Sequence, residues 1–247
     1  MQKILVPSLI AAAIASLTSV AHAAEPESTL GFNAGVVSDY RYRGISQSRL
    51  QPALQGGVDY ADKSGFYVGA WGSTIKWIKD TPGATKGSVE LDLYGGYKGA
   101  TGGLAYDVGF LRYEYVKNNY AQTGGVNAST NEVYGAVTYG LFTAKYSHAI
   151  SDLFGNANSK NSYYLDLSAT FDLGDGYTLT PHVGRQMVKN LPAYSYNDYS
   201  LTLAKDLGNG LSASLMLVDT NAKEGSYTLV NKYNGKSAAV VGLKYSF

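Results

Sequence analysis

Apolar and polar side chains alternate at every second position over most of this chain. The cleanest cases set Val89, Leu91, Leu93 and Tyr97 against Glu90, Asp92, Tyr94 and Lys98, and Tyr163, Leu165, Leu167, Ala169 and Phe171 against Tyr164, Asp166, Ser168 and Thr170. Consecutive side chains of a strand point to opposite faces, so this period predicts strands with one apolar and one polar face. Leu30, Phe32, Ala34 and Val36 repeat the scheme. Less perfect repeats run from Leu54 to Tyr60, Phe66 to Ala70, Leu104 to Phe110, Val133 to Tyr139, Phe142 to Tyr146, Leu179 to Val183, Tyr199 to Leu203 and Leu211 to Leu217. Val241, Leu243, Tyr245 and Phe247, alternating with Gly242, Lys244 and Ser246, complete twelve segments. After Phe110 the apolar set changes phase to Leu111, Tyr113 and Tyr115, which predicts a β-bulge at that point.

The connections alternate in length. Short ones fall near Ala61 to Ser64, Gly99 to Gly102, Gly140, Gly174 to Gly176, and Asp206 to Gly210, all rich in the turn formers Gly, Asp and Asn. Long ones fall at Gly44 to Gln51, Lys79 to Gly87, Lys117 to Ser129, Ser151 to Lys160, Lys189 to Ser195, and Thr220 to Lys236. Every odd connection is long and every even one short. An all-β, closed, antiparallel up-and-down transmembrane β-barrel of 12 strands produces this order, with both termini at the short-turn end.

Alternation alone does not say which face is buried, since a soluble lipocalin-type barrel or a secreted β-sandwich shares the period. Other features decide. Lys3, an apolar run from Ile4 to Val20, and Ala21-His22-Ala23 have the layout of a cleavable signal peptide over residues 1–23, leaving residues 24–247 as one barrel domain. No later run approaches the 18 or more apolar residues of a helical span, so residence in a membrane requires a closed barrel. The 20 Lys and Arg stand against 19 Asp and Glu, and the counts become equal without Lys3. Such a balance suggests no nucleic-acid partner. The absence of cysteine removes disulfides, thiol catalysis and thiolate metal sites together. The 22 tyrosines suit strands and membrane interfaces. Outward Tyr60, Tyr97, Tyr106, Tyr139, Tyr146 and Tyr163 read as an interface girdle.

The aromatic end of the last segment resembles the final strand of bacterial outer-membrane barrels, which implies that Tyr245 and Phe247 form a signal for the barrel assembly machinery. The stretch GFNAGVVSDYRYRGISQS from Gly31 to Ser48, PALQGGVDY from Pro52 to Tyr60 and GFYVGAWGS from Gly65 to Ser73 resemble the TorF family of outer-membrane porins. LDLYGGYKG from Leu91, YDVGFLRYEY from Tyr106 and EVYGAVTYG from Glu132 add to the likeness. It implies a bacterial outer-membrane location with periplasmic termini, contact with outer-membrane lipid, and a porin-like pore for small hydrophilic solutes or ions. It implies no cofactor and supplies no residue roles.

On the expected polar face, parity places Asp39, Arg41 and Arg43 on the first strand, pointing into the lumen about 7 Å apart. Guanidinium groups there would select anionic or zwitterionic solutes through bidentate pairing, or would form ion pairs that fill and stiffen a narrow barrel. Asp59, Glu90, Asp92, Asp107, Glu132, Lys145, Asp166 and His182 share that face. So do Tyr67, Trp71, Tyr94, Tyr134 and Tyr164, read either as a stacking track for flat solutes or as space-filling residues that pin strand register. The alternatives to a pore are a plugged structural or adhesive barrel, and a hydrolase that needs a serine and an acid around His182. No G-x-S-x-G occurs, and neither the histidine spacing nor Gly174-Asp175-Gly176 makes a metal site.

Overall fold

A computed structural model describes residues 28–247; the expected signal peptide lies outside them. The twelve barrel strands are β1 (Thr29–Val37), β2 (Ala53–Ala61), β3 (Phe66–Thr74), β4 (Val89–Thr101), β5 (Leu104–Tyr115), β6 (Thr130–Tyr139), β7 (Phe142–Ala149), β8 (Tyr163–Ala169, resuming as Phe171–Gly174), β9 (Tyr177–Met187), β10 (Tyr196–Gly208), β11 (Leu211–Thr220) and β12 (Ala238–Ser246). Each pairs antiparallel with its chain neighbours, and β12 pairs with β1, so the sheet closes. At the seam the Phe32 amide donates to the Phe247 carbonyl at 2.8 Å, and the Phe247 amide returns a bond of 3.0 Å. Closure gives every strand two partners, as a chain surrounded by lipid requires.

The apolar faces point outward. Leu93, Leu165, Leu167, Leu201, Leu217 and Val241 are all exposed, as are Phe66, Tyr139, Phe142, Tyr177 and Phe247 at the short-turn end. A soluble barrel would have turned these residues to a dry centre. Phe32 stacks on Phe247 at 5.8 Å and Phe66 packs edge-on against Tyr97 at 5.0 Å, forming a girdle around that end. Toward the long-loop end the outer face becomes polar, with Arg112 bonded to Glu114 and Asn131, and Arg185 donating to Asn197.

Two expectations fail. β5 carries no bulge: its pairing with β4 and β6 is unbroken from Leu104 to Tyr113, and the register shifts lie instead beside short turns, at Asp172/Gly174 and Asp206/Gly208. Leu111, Tyr113 and Tyr115 keep the inward parity of Asp107 and Gly109 and are buried. The interior changes chemistry there because the long connections fold down onto it. Trp77 packs edge-on against Tyr115 at 5.1 Å, and Phe154 against Tyr113 at 5.2 Å and Tyr42 at 5.6 Å. A pattern reading assigns apolar residues to lipid; at this end they meet loop residues instead.

The second correction concerns Asp39, Arg41 and Arg43. β1 ends at Val37, so these residues belong to the first long connection. That connection turns into the barrel as a small hairpin, with Arg41–Tyr42 paired to Ile45–Ser46. Arg43 (φ 47°) and Gly44 (φ 78°) form its two-residue tip, both in the left-handed region that such tight turns require.

Candidate functional site

The hairpin crosses the lumen. On one side the Tyr40 hydroxyl donates to Glu90 Oε1 of β4 at 2.6 Å. Burial first, then the nearby Glu90 carboxylate, pushes the Tyr40 phenol well above its ordinary value, so it stays a neutral donor. On the opposite side Gly44 lies against β10 and β11: a Cβ there would come 2.5 Å from Thr220 Cγ2 and 2.7 Å from Asp198 Cβ, so this approach needs glycine. At the base Asp39 accepts from Arg41 Nε at 2.6 Å and from the Ser46 and Ser48 hydroxyls. Arg41 Nη1 also donates to the Gly44 carbonyl at 2.9 Å and the Lys236 carbonyl at 2.9 Å, tying the first long connection to the last.

Arg43 is the centre of the crossing. Its Nη1 donates to Gln186 Oε1 on β9 and its Nη2 to Glu132 Oε2 on β6, each at 2.7 Å. The guanidinium carbon sits 4.4 Å from the Tyr164 ring centroid and 4.8 Å from that of Tyr42. Cation, carboxylate and rings therefore hold the hairpin tip from three walls. Neither Arg41 nor Arg43 is a free cation facing solute: each is spent on an ion pair.

The tyrosines on the polar face bond to carboxylates rather than stack on one another. Tyr67 donates to Asp107 at 2.6 Å and is hydrogen-bonded to Tyr134; Tyr94 donates to Asp59 at 2.5 Å. A Cβ on Gly69 would overlap the Tyr94 ring, so that ring lies flat against the neighbouring strand. Among the described residues no two rings of Tyr67, Trp71, Tyr94, Tyr134 and Tyr164 stack; Trp71 meets Tyr40 edge-on at 5.5 Å. This half of the lumen, walled by β2 to β6, is filled. Asp92 is also buried there, and its Oδ1 has no partner among the described residues.

The other half is different. A cavity of about 220 Å³ is roofed by the hairpin and walled by β7 to β12 through Lys145, Ser147, Asp166, Ser168, Thr180, His182, Asp198, Ser200, Thr202 and Ser214. Serine and threonine make up much of this wall, and Val37, Met216, Val218 and Val240 complete the lining. His182 Nε2 lies 3.0 Å from Asp166 Oδ2 and 3.3 Å from the Tyr164 hydroxyl, which itself bonds both Asp198 oxygens at 3.0 Å. The hydroxyl at the imidazole is thus phenolic, and neither ring nitrogen bonds a serine among the described residues. Lys145 Nζ lies 4.2 Å above the Tyr134 ring.

Asp198, Gln186 and Tyr40 were not singled out from the sequence. Asp198 was legible: it shares parity with Ser200 and Thr202, opposite the outward Tyr199, Leu201 and Leu203. Tyr40 was not, because a hairpin folded into a lumen has no period to read.

Charge is distributed unevenly along the axis. The six long connections hold Arg41, Arg43, Arg49, Lys76, Lys79, Lys86, Lys117, Lys160, Lys189, Lys223, Lys232 and Lys236 against only Asp39, Asp80, Asp152 and Glu224. The short turns hold Asp62 and Asp175 against Lys63. One mouth is basic and the other is not.

Comparison with known proteins supplies the family. Residues 21–247 match the family described as bacterial protein of unknown function (Gcw_chp), and the chain belongs to it. The TorF likeness remains one of motifs. No curated protein sequence matches significantly. Solved structures with the same fold include the KdgM porin (9% identity, 89% of this chain and 99% of that chain, TM-score 0.53) and the NanC porin (10% identity, 89% and 99%, TM-score 0.55). A third is the KdgM porin in complex with disordered oligogalacturonate (8% identity, 89% and 99%, TM-score 0.54). At such identities the likeness is one of architecture: a closed barrel of nearly the same extent.

Proposed function

We propose that this protein is a narrow outer-membrane channel for passive diffusion of small hydrophilic solutes or ions, with the hairpin at Arg41 to Ser46 as its constriction. The observation that carries the reading is the asymmetric lumen. One half is packed with tyrosine and carboxylate, and the other keeps a cavity of about 220 Å³ beneath the hairpin, where serine and threonine hydroxyls share the lining with Val37, Met216, Val218 and Val240. Hydroxyl and charged groups on such a wall replace part of a solute's hydration, while the apolar outer face meets lipid. Two barrels of the same fold are described as porins, one of them in complex with disordered oligogalacturonate, which supports a solute passage in a barrel of this extent. The start of β1 at Thr29 and the terminal Phe247 lie at the short-turn end, in this reading the periplasmic side. Tyr245 and Phe247 are the residues we assign to recognition by the assembly machinery.

A second reading, a plugged structural or adhesive barrel, is favoured by the hairpin's own bonds: Arg43 is held at both amino groups and Arg41 at its base. Conductance separates the two. Purified full-length chain in a planar lipid bilayer gives discrete current steps if the cavity connects both mouths. A silent membrane at high protein load removes the channel reading and leaves the plugged one. Ser168 and Ser200 flank His182 on the neighbouring strands, but among the described residues its Nε2 bonds the Tyr164 hydroxyl and Asp166 and neither serine, so the arrangement does not favour a hydrolase.

A further inference from the structure

We propose that the cavity is a selectivity site for small hydroxylated carboxylates, sugar acids in their chemistry, with Lys145 as the group that holds the carboxylate. This rests on the channel reading above and names its solute class.

Three independent observations converge. First, Lys145 lines the cavity, and among the described residues no carboxylate lies within 4.0 Å of its ammonium. The surrounding acids are committed elsewhere: Asp107 to Tyr67 at 2.6 Å, Glu132 to Arg43 at 2.7 Å, and Asp166 to His182 at 3.0 Å. Arg41 and Arg43, the cations that the sequence points to first, are ion-paired to Asp39 and Glu132, with only the buried Arg41 Nη2 left without a partner among the described residues. Of the lysines and arginines that line the cavity, Lys145 is the one without a carboxylate partner among the described residues, and its ammonium, with the Tyr134 ring on one side, keeps donors for a solute.

Second, the wall beside it carries hydroxyls with nothing to bond. Ser147, Ser168, Ser200, Thr202 and Ser214 face the cavity and make no side-chain hydrogen bond among the described residues. A hydroxyl both donates and accepts, so such a wall exchanges bonds with a polyol without the cost of an orphaned charge. An ammonium beside a hydroxyl wall matches a solute with a carboxylate at one end and hydroxyls along the rest.

Third, the basic long-loop mouth attracts anions to the opening, and the short-turn mouth does not. A field of one sign at a cleft raises the local concentration of the opposite charge and is screened by salt.

The test uses the full chain in proteoliposomes, with sodium gluconate, glucose and glucosamine hydrochloride as probes of similar size. Swelling rates should rank gluconate first and glucosamine last. Lys145→Gln should cut the gluconate rate about tenfold relative to glucose, the loss of one charge-assisted contact, and Lys145→Arg should restore most of it. High salt should remove the mouth's contribution but leave the Lys145 effect. Should the glutamine variant not fold, wild-type chain in a planar bilayer decides: gluconate should block chloride current saturably. Equal rates for gluconate and glucosamine, an unchanged ratio in Lys145→Gln, or no block by gluconate overturns the assignment while the channel stands. A membrane silent to every ion overturns the channel reading itself.

Discussion

Replacing Arg43 by alanine tests the crossing hairpin most directly. The substitution deletes two charge-assisted bonds of 2.7 Å and two ring contacts at once. It leaves the Glu132 carboxylate 1% exposed, with Oε1 already unpartnered and one remaining bond, from the Tyr113 hydroxyl at 3.2 Å. Exposed ion pairs contribute about 0 to 1 kcal/mol, but here both side chains are withdrawn from water, so the screening that weakens such pairs is largely missing. Removing one partner of a buried pair costs about 3 to 5 kcal/mol, most of it the penalty of the stranded charge. Adding Glu132→Gln to Arg43→Ala removes that charge, and the double variant should therefore be more stable than Arg43→Ala alone, by about 1 to 3 kcal/mol.

The assay is guanidinium chloride unfolding of protein folded into phospholipid vesicles, followed by tryptophan fluorescence, together with single-channel current. In the channel reading, loss of the Arg43 side chain opens the passage under the hairpin. Conductance should rise, and the reversal potential should move toward cations because Glu132 has lost its counter-charge. A cost below about 1 kcal/mol with no recovery in the double variant would mean that water reaches the pair and the hairpin is loosely held. Unchanged conductance would place the constriction elsewhere.

Other substitutions probe the outer face, the interior and the seam. Leu167→Arg puts a charge on the lipid side of β8 and should lower folding stability in vesicles by about 2 to 4 kcal/mol, whereas Ser168→Arg, one residue on and facing the cavity, should alter ion preference more than stability. Tyr113→Ala should cost about 3 to 5 kcal/mol by the same denaturant assay, and Tyr113→Phe only about 1 kcal/mol; equal losses would show that the ring is not packed between Tyr42 and Phe154. Phe247→Ala should reduce the fraction recovered in the outer membrane of expressing cells while the purified chain still refolds in detergent. If refolding fails as well, stacking on Phe32 is the dominant role of that ring.

The barrel was legible in the sequence because lipid on one side and polar groups on the other impose a period of two, and closure adds the alternation of long and short links. Glu90, Asp92, Asp107, Glu132, Lys145, Asp166 and His182 were all found by parity on strands that the structure contains. The crossing hairpin was not legible, because its geometry is set by contacts across the lumen. Arg43 reaches Gln186, 143 positions later in sequence, and Arg41 reaches the carbonyl of Lys236, 195 positions later. Counting Asp39, Arg41 and Arg43 as a continuation of β1 gave them the correct side but the wrong element; of the two roles the sequence left open, Arg43 makes the interior ion pair, with Glu132. The mistake over Tyr113 and Tyr115 has the same root. Read by period alone, an apolar residue inside a channel looks like a slip in register; with a loop folded onto it, it is core. A barrel whose loops turn inward therefore has lipid outside its wall, polar groups within it, and a third environment where its own loops pack against it. Only the first two leave a period: parity put Lys145 on the inner face, but that Arg41 and Arg43 are ion-paired while Lys145 is not shows only in the contacts across the lumen.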